Sequence, residues 1–176
     1  MDYNIRRWKP TDIDALVKQM NNIHIWSSLS EDIPFPATAK IAKNYLDKFC
    51  QKGVEYDIYA IEVDNDVVGG ISFSRLKPPF TIIYRLQFWL CPDFWEESFI
   101  EEALAKLIKN TFFHLPVMKI ISEILENDVK SIQVLEKLGF EKEATLQKVV
   151  LKSGSVKDLY FYTLAEENFD PSSLYL

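Results

Sequence analysis

Cysteine, histidine and glycine are all scarce in this sequence of 176 residues. The two cysteines, Cys50 and Cys91, are far apart and form no Cys-x-x-Cys pair, which excludes a disulfide framework and a zinc site. The two histidines, His24 and His114, have no potential metal ligands at a suitable spacing. We therefore expect a reducing, cytoplasmic setting and no bound metal.

Long apolar runs are missing as well. No stretch approaches the roughly 20 consecutive apolar residues of a membrane span, and the N-terminal residues lack the apolar segment of a signal peptide. The net charge is -6, which is a poor electrostatic match for nucleic acid. An acidic chain could favour a cationic substrate such as an amine, but most acidic soluble proteins simply have a solvated acidic surface. Neither a membrane nor a nucleic acid is expected as a partner.

What the sequence does contain is enough apolar material for one core. Hydrophobic residues make up 48% of the chain and aromatic residues 14%. We expect a single domain over residues 1–176, with its core in 3–164 and a tail over 165–176.

The hydrophobic pattern alternates between strand-like and helical periods along the chain. Strands are predicted over 3–8, 57–63, 67–75, 81–90, 117–125, 140–152 and 156–164. Helices are predicted from Thr11, over 37–52, over 95–113 and over 127–137, with a short helical piece within 23–38. This order predicts an α/β fold of the α+β type, with one mixed sheet of about seven strands and helices on both faces.

Several short signals refine the predicted boundaries. Thr11 with Asp14 is typical of a capping box at the first helix, and Asn127 is a suitable cap for the last one. The pair Gly69 and Gly70 within a strand indicates either a bulge or the close approach of another element.

The stretch 90–107 draws the most attention, because a strand there runs through a proline turn directly into a helix. The N–H groups at such a helix N-terminus form a natural seat for an anion such as a phosphate. The turn, however, contains Glu96 and Glu97 and no glycine.

A second block, residues 121–144, contains Asn127, then Ser131 four residues later, and an apolar run that ends in Glu-Lys-Leu-Gly-Phe over 136–140. This block closely resembles the GNAT superfamily of acetyl-CoA-dependent N-acetyltransferases. The resemblance extends over residues 3–164 and is nearest to the branch that acetylates the N-termini of ribosomal proteins.

The resemblance implies a GNAT-like fold in which acetyl-CoA lies in a V-shaped split between the fourth and fifth strands. The pantetheine would pair with the fourth strand, the pyrophosphate would lie on the helix N-terminus, and an N–H near a strand bulge would hold the thioester oxygen. A neutral amine would then attack directly. Asn127 and Ser131 are the implied catalytic residues. The implied cofactor-binding residues are Leu90, Cys91, Trp95, Glu96, Glu97, Ser98, Phe99, Ile100, Asn127 and Ser131.

The sequence departs from the family pattern in the turn. Glu96 and Ser98 replace the two glycines that let phosphates approach the backbone, and Ile100 replaces a small residue. Carboxylates at positions 96, 97, 101 and 102 oppose a pyrophosphate, although Glu101 and Glu102 could point away from the turn. On the fourth strand, Arg85 occupies a position where the family often has an acidic residue, and Gln87 replaces a glycine.

Other single residues have open roles. Glu31 and Asp32 could attract an amine or belong to a solvated loop, and Tyr160 or Tyr162 could protonate the leaving thiolate. Cys91 is expected to be a small buried thiol.

Two functional interpretations follow. The first is an N-acetyltransferase that moves an acetyl group from acetyl-CoA to a primary amine, either a protein N-terminus or a small molecule. The alternative is a degenerate GNAT domain with an impaired CoA site that acts as a ligand- or partner-binding module. The identity of the acceptor stays open, as does the choice between a monomer and a homodimer.

Overall fold

A computed structural model describes residues 2–28, 33–49 and 56–170 of the chain. Its strands are β1 (Tyr3–Arg7), β2 (Tyr56–Val63), β3 (Asp66–Arg75), β4 (Ile83–Leu90), β5 (Lys119–Leu125), β6 (Glu141–Lys152) and β7 (Ser155–Ala165). Its helices are α1 (Ile13–Met20), α2 (Ile23–Ser28), α3 (Ala39–Phe49), α4 (Phe99–His114) and α5 (Val129–Lys137). Short 3-10 turns cover Pro10–Asp12, Pro92–Phe94 and Glu166–Asn168.

The seven strands form one mixed sheet in the order β1-β2-β3-β4-β5-β7-β6. All neighbouring pairs are antiparallel except β4 and β5, which are parallel and joined through α4. The predicted sheet of seven strands is confirmed, and so is the predicted parallel crossover.

Two apolar clusters lie on opposite faces of the sheet. On one face α4 and α5 cover the alternate β4 residues Tyr84, Leu86, Phe88 and Leu90. On the other face α1 and α3 cover β2 and β3, and Trp89 packs against this second cluster. The period-2 alternation of β4 therefore separates residues that face the two helix layers, and the predicted helices on both faces are confirmed.

The start of the first helix differs from the prediction. The turn Pro10–Asp12 precedes α1, and Asp12 rather than Thr11 is the N-cap residue. The Asp12 carboxylate accepts hydrogen bonds from the Lys9 N–H at 2.9 Å and from the Arg6 guanidinium at 2.7 Å. The predicted capping box of Thr11 and Asp14 is therefore wrong, because Asp12 is held by a charge on the neighbouring strand.

The helix α4 begins at Phe99, four residues later than the predicted start at Trp95. Pro92 initiates a 3-10 turn, and the Glu97 N–H donates to the Phe94 carbonyl at 3.1 Å. The segment between this turn and α4 is consequently a tight loop rather than the first helical turn.

Both explanations for the glycine pair apply. The register between β2 and β3 shifts at Ile61 and Glu62, next to Gly69. A Cβ on Gly69 would lie 2.9 Å from the Trp89 carbonyl oxygen, and a Cβ on Gly70 would lie 2.6 Å from the Trp89 indole nitrogen. The absence of side chains here lets Trp89 lie flat against β3.

The remaining differences are small. A short helix, α2, occupies part of the stretch 23–38, as predicted. The predicted end of the second helix near Lys52 and its closure by Gly53 lie outside the described residues. Phe169 in the predicted tail packs on Phe112 of α4, with ring centroids 5.3 Å apart.

Candidate active site

The two parallel strands at the centre of the sheet diverge. Within the described residues, β4 and β5 pair only at Ile83 with Lys119, Tyr84 with Ile120 and Arg85 with Ile121. From Leu86 onward β4 keeps its antiparallel pairing with β3, but its other edge meets no strand of the described chain. The result is a fork that opens toward the carboxyl ends of both strands, which is where ligands bind in open α/β sheets.

Side chains from β5 hold the fork on both faces of the sheet. The fully buried Ser122 hydroxyl donates to the Leu86 carbonyl at 3.0 Å. On the opposite face, Arg85 Nη2 donates to Glu123 Oε1 at 3.1 Å. Arg85 Nε also lies 3.1 Å from Glu123 Oε2, but this buried N–H makes no hydrogen bond, so we treat the contact as purely ionic.

Glu123 was missed by sequence reasoning, which noted only that Arg85 replaces an acidic residue on β4. A carboxylate does lie beside Arg85, but it belongs to Glu123 of the neighbouring strand β5 and not to β4. Nothing in the local pattern of β5 distinguishes Glu123 from an ordinary solvated strand residue.

The backbone groups of β4 that face the fork can be identified from these contacts. The Leu86 carbonyl points toward β5, whereas the Cys91 N–H donates to the Val68 carbonyl of β3 at 2.7 Å. Successive residues of a strand point their backbone N–H and C=O groups in opposite directions. The backbone N–H and C=O groups of Phe88 and Leu90 therefore point into the fork, as those of Leu86 do. The Cys91 N–H is already bonded to β3 and is not available to a ligand.

The bulge implied by the family resemblance is not in β4. The β3–β4 register runs without interruption from Gly69 opposite Leu90 to Arg75 opposite Tyr84. The irregularity lies one strand away, between β2 and β3.

The N-terminus of α4 lies next to the fork in sequence. Ser98 is the N-cap residue, and its side chain makes no capping hydrogen bond. Phe99 and Ile100 are buried, with 4% and 1% exposure, so these two predicted cofactor-binding residues can offer a ligand only their backbone N–H groups. The end of the helix dipole adds a partial positive charge at the same place.

Two carboxylates at the start of α4, Glu96 and Glu101, are paired with lysines of α5. Lys130 Nζ lies 2.6 Å from Glu96 Oε1, and Lys137 Nζ lies 2.7 Å from Glu101 Oε1. The hydrogen bond from Lys130 lowers the pKa of Glu96, and the bond to Glu101 raises the pKa of Lys137. The prediction that Glu101 points away from the turn is therefore wrong. The Glu102 side chain does point away, toward β1, where the Tyr3 hydroxyl lies 3.4 Å from its Oε2.

A polar cleft lies between this turn and α5, and we call it the turn cleft. It is lined by Trp95, Glu96, Glu97, Ser98, Glu101, Lys130, Gln133, Val134 and Lys137. Three carboxylates therefore face two ammonium groups there. Sequence reasoning missed both lysines, although their spacing of two helical turns places them on one face of α5.

The two predicted catalytic residues differ in their surroundings. Asn127 is exposed and does not cap α5, so the predicted capping role is wrong. Asp128 is the cap, and its carboxylate accepts the Ser131 N–H at 3.2 Å. Ser131 is buried, at 2% exposure.

Asp128 makes the stability of α5 dependent on pH. Burial raises the pKa of Asp128 above its ordinary value of 3.8, and the hydrogen bonds from Ser131 only partly offset this effect. A raised pKa in the folded state means that the stabilising contribution is complete below 3.8 and is lost as the pH rises through the folded value.

Asp128→Asn is therefore expected to retain the cap and to gain stability relative to the native protein as the pH rises from 3 to 7. Asp128→Ala should instead be about 1 kcal/mol less stable than Asp128→Asn at every pH, because the cap itself is removed. Urea unfolding at several pH values measures both effects. A native protein that loses no stability relative to Asp128→Asn over this range would contradict the argument.

The remaining candidates are placed as follows. Tyr162 is buried, and its hydroxyl donates to Glu136 at 2.9 Å. Burial and this carboxylate raise the pKa of Tyr162 to about 12. Tyr160 pairs with Ile124 at the open end of β5.

Cys91 is a free thiol. It is half-buried, whereas the sequence predicted a buried thiol. Glu31 and Asp32 lie outside the described residues.

No helix among the described residues is both long and apolar enough to cross a membrane.

Comparison with known proteins agrees with this geometry. A curated relative is the SPbeta prophage-derived uncharacterized N-acetyltransferase YokL of Bacillus subtilis, which is 25% identical over 93% of this chain and 95% of its own. The solved ribosomal-protein-S5-alanine acetyltransferase from Vibrio fischeri superposes with a TM-score of 0.83 at 19% identity, covering 97% of both chains.

A spermidine N-acetyltransferase from Vibrio cholerae, solved with CoA and spermine, superposes with a TM-score of 0.80 at 15% identity, covering 94% of this chain and 96% of its own. At these identities the structural likeness concerns the fold alone. The sequence family described as the Acetyltransferase (GNAT) domain matches residues 3–141. With that match over most of its length, the chain belongs to the GNAT family of acetyltransferases.

Proposed function

We propose that this protein is an acetyl-CoA-dependent N-acetyltransferase that acts on a primary amine. The observation that carries the proposal is the fork between β4 and β5, where one edge of β4 has no strand partner among the described residues. An extended chain with amide groups, such as pantetheine, can add to a free strand edge through backbone hydrogen bonds. The fold and the family match support the same conclusion.

The described residues suggest how CoA would be held. The fork-facing N–H and C=O groups of Phe88 and Leu90 would pair with the pantetheine amides. The N–H groups at the start of α4 would receive the pyrophosphate, and Lys130 and Lys137 would supply positive charge when they exchange Glu96 and Glu101 for phosphate oxygens. The ion pairs thus reduce the conflict between the acidic turn and an anionic ligand.

The chemistry is a direct transfer between two bound substrates. The lone pair of a neutral amine attacks the thioester carbonyl carbon, forming a C–N bond. The C–S bond then breaks and the thiolate leaves with its electron pair. The amine nitrogen gives up a proton, which passes to the thiolate directly or through water. Whichever of the Phe88 and Leu90 N–H groups is not bonded to the pantetheine would stabilise the negative oxygen, an interaction worth roughly 3 kcal/mol. Holding both substrates at the fork supplies further acceleration.

A degenerate domain without CoA binding is the rival, and Glu97 favours it. This carboxylate lines the turn cleft, and neither lysine of the cleft pairs with it, since Lys130 and Lys137 bond Glu96 and Glu101. The turn also lacks the glycines typical of the family.

Calorimetric titration of CoA distinguishes the two functions. We expect the native protein to bind CoA, Glu96→Gln to bind it more tightly and Lys130→Met more weakly. Each change should alter Kd by about five- to tenfold, because each removes one charge that would face the phosphates. Added salt should weaken binding to the native protein.

Lys109→Met is the matched control, since Lys109 lies on α4 away from its N-terminus and outside the turn cleft. Its affinity for CoA should equal that of the native protein. Binding by Glu96→Gln alone would mean that the acidic turn has disabled a cofactor site that the fold still supports. No binding by either protein would favour the partner-binding module.

A further inference from the structure

A second cavity lies on the other face of the sheet, between α1, α2 and the middle of β3 and β4. We call it the inner cavity. Its aromatic lining residues are Trp8, Tyr45, Phe88 and Trp89, and its aliphatic lining residues include Met20, Ile25 and Ile33. Trp8 and Trp89 contact each other with ring centroids 6.4 Å apart.

The chemistry of this lining is apolar and uncharged. Every charged side chain in the described part of the chain lies outside it. Among its polar side chains, the buried Gln19 already donates to the Val67 carbonyl at 3.0 Å. Ser72 and Gln87 face each other across β3 and β4 and are partly exposed to the cavity.

The inner cavity lies directly beside the fork. Gln87, Phe88 and Trp89 contribute to its lining, and this is the part of β4 whose other edge has no strand partner within the described chain. A group seated in the cavity therefore lies next to the backbone on which the thioester is expected to rest.

The cavity is narrow. Its volume open to the centre of a water molecule is ≈ 40 Å³, which corresponds to roughly three water molecules. Such a space admits one compact group of isobutyl or phenyl size, and the rest of a larger ligand would lie outside it.

We propose that the acceptor is a primary monoamine with an apolar substituent close to the nitrogen, and that this substituent occupies the inner cavity. The inference rests on the function proposed above and adds the substrate class. A flexible polycation is disfavoured, because the described lining offers no carboxylate to hold a second ammonium group. An apolar substituent gains free energy by leaving water for these walls.

Tryptophan fluorescence provides a direct test, since two tryptophans line the cavity. Phenethylamine, isoamylamine and spermidine would each be titrated into the protein, both alone and with CoA. The two apolar amines are expected to bind at least about tenfold more tightly than spermidine, the discrimination that an apolar pocket typically gives. Acetyl transfer from acetyl-CoA, followed by thiol release, should show the same order in kcat/KM.

Two variants reduce the cavity by different routes. Ser72→Leu places an apolar side chain into it from β3. Gly70→Ala adds a Cβ that would lie 2.6 Å from the Trp89 indole nitrogen and would force the ring to move. Both should weaken phenethylamine binding by about tenfold. Phe80→Ser is the control. Phe80 is 56% exposed, precedes the start of β4 and does not line the cavity, so this change should leave phenethylamine binding unchanged.

The outcomes separate this inference from the proposed function. Amine binding in this order without any CoA binding would retain the inner cavity as a site for apolar monoamines and reject the transferase. CoA binding with spermidine bound as tightly as phenethylamine, or unchanged phenethylamine binding by Ser72→Leu, would overturn the inference and leave the transferase proposal intact.

Discussion

Replacing Arg6 with leucine is expected to lower the free energy of unfolding by about 3–5 kcal/mol, the usual effect of removing one partner from a buried ionic network. The Arg6 side chain is 15% exposed, and its guanidinium lies 2.7 Å from Asp12 and 2.6 Å from Glu62. Its removal leaves two largely buried carboxylates facing each other without a counter-charge. Denaturant unfolding at pH 7 measures the loss.

The pH dependence of this network should also reverse. Burial acts to raise the pKa of Asp12, but the hydrogen bonds from Arg6 and the Lys9 N–H outweigh it, and the pKa is lowered from 3.8. In the native protein the stabilisation is present above 3.8 and is lost as the pH falls through the folded value. Without Arg6 the burial effect dominates, so Arg6→Leu should become more stable on mild acidification.

Arg7→Leu is a matched control on the same strand. Arg7 pairs with Asp57, but its side chain is 59% exposed, and an exposed pair contributes about 0–1 kcal/mol. Equal losses for Arg6→Leu and Arg7→Leu would contradict the assigned role of the buried network. The assigned role would also be contradicted if the free energy of unfolding of Arg6→Leu fell on acidification as steeply as that of the native protein.

The Arg6 network also supports the inner cavity. Asp12 is the N-cap residue of α1, and the next turns of that helix carry Leu16, Gln19 and Met20 to the cavity wall. Arg6→Leu should therefore weaken amine binding as well, through a helix that is held less firmly on the sheet.

Much of the fold was predictable because its elements follow simple periods. The alternation of Tyr84, Leu86, Phe88 and Leu90 with more exposed residues identifies β4 from sequence alone. The sequence did not predict which residue caps the N-terminus of α1 or of α5. Asp128 stands immediately after another preferred capping residue, and Asp12 is selected by Arg6, which reaches it only in the folded chain.

The candidate site was predictable as a location but not in its electrostatics. The stretch after β4 identified the turn, and its acidic residues suggested repulsion of a phosphate. Lys130 lies 34 residues from Glu96 along the chain, so their pairing depends on how α5 packs beside the start of α4. The fork likewise depends on Ser122, a small residue whose hydrogen bond to a β4 carbonyl leaves no signal in the local pattern.

Gly69→Ala is expected to lower the free energy of unfolding by about 1–3 kcal/mol, the typical effect of overpacking. The new Cβ would lie 2.9 Å from the Trp89 carbonyl oxygen and 2.9 Å from Ile61 Cδ1. A backbone atom of a paired strand cannot move aside as a flexible side chain can. Relief of the clash therefore requires β4 to shift away from β3, toward the fork.

The same shift should impair CoA binding, because the fork-facing groups of Phe88 and Leu90 move with the strand. Gly154→Ala separates this effect from general destabilisation. Gly154 has a φ of +73°, and a Cβ added there would meet no described atom within 4 Å, so alanine adds about 1–3 kcal/mol of backbone strain without a clash. Calorimetry should show weaker CoA binding for Gly69→Ala alone. Equal CoA affinities in the two variants would mean that the β3–β4 contact does not position the open edge.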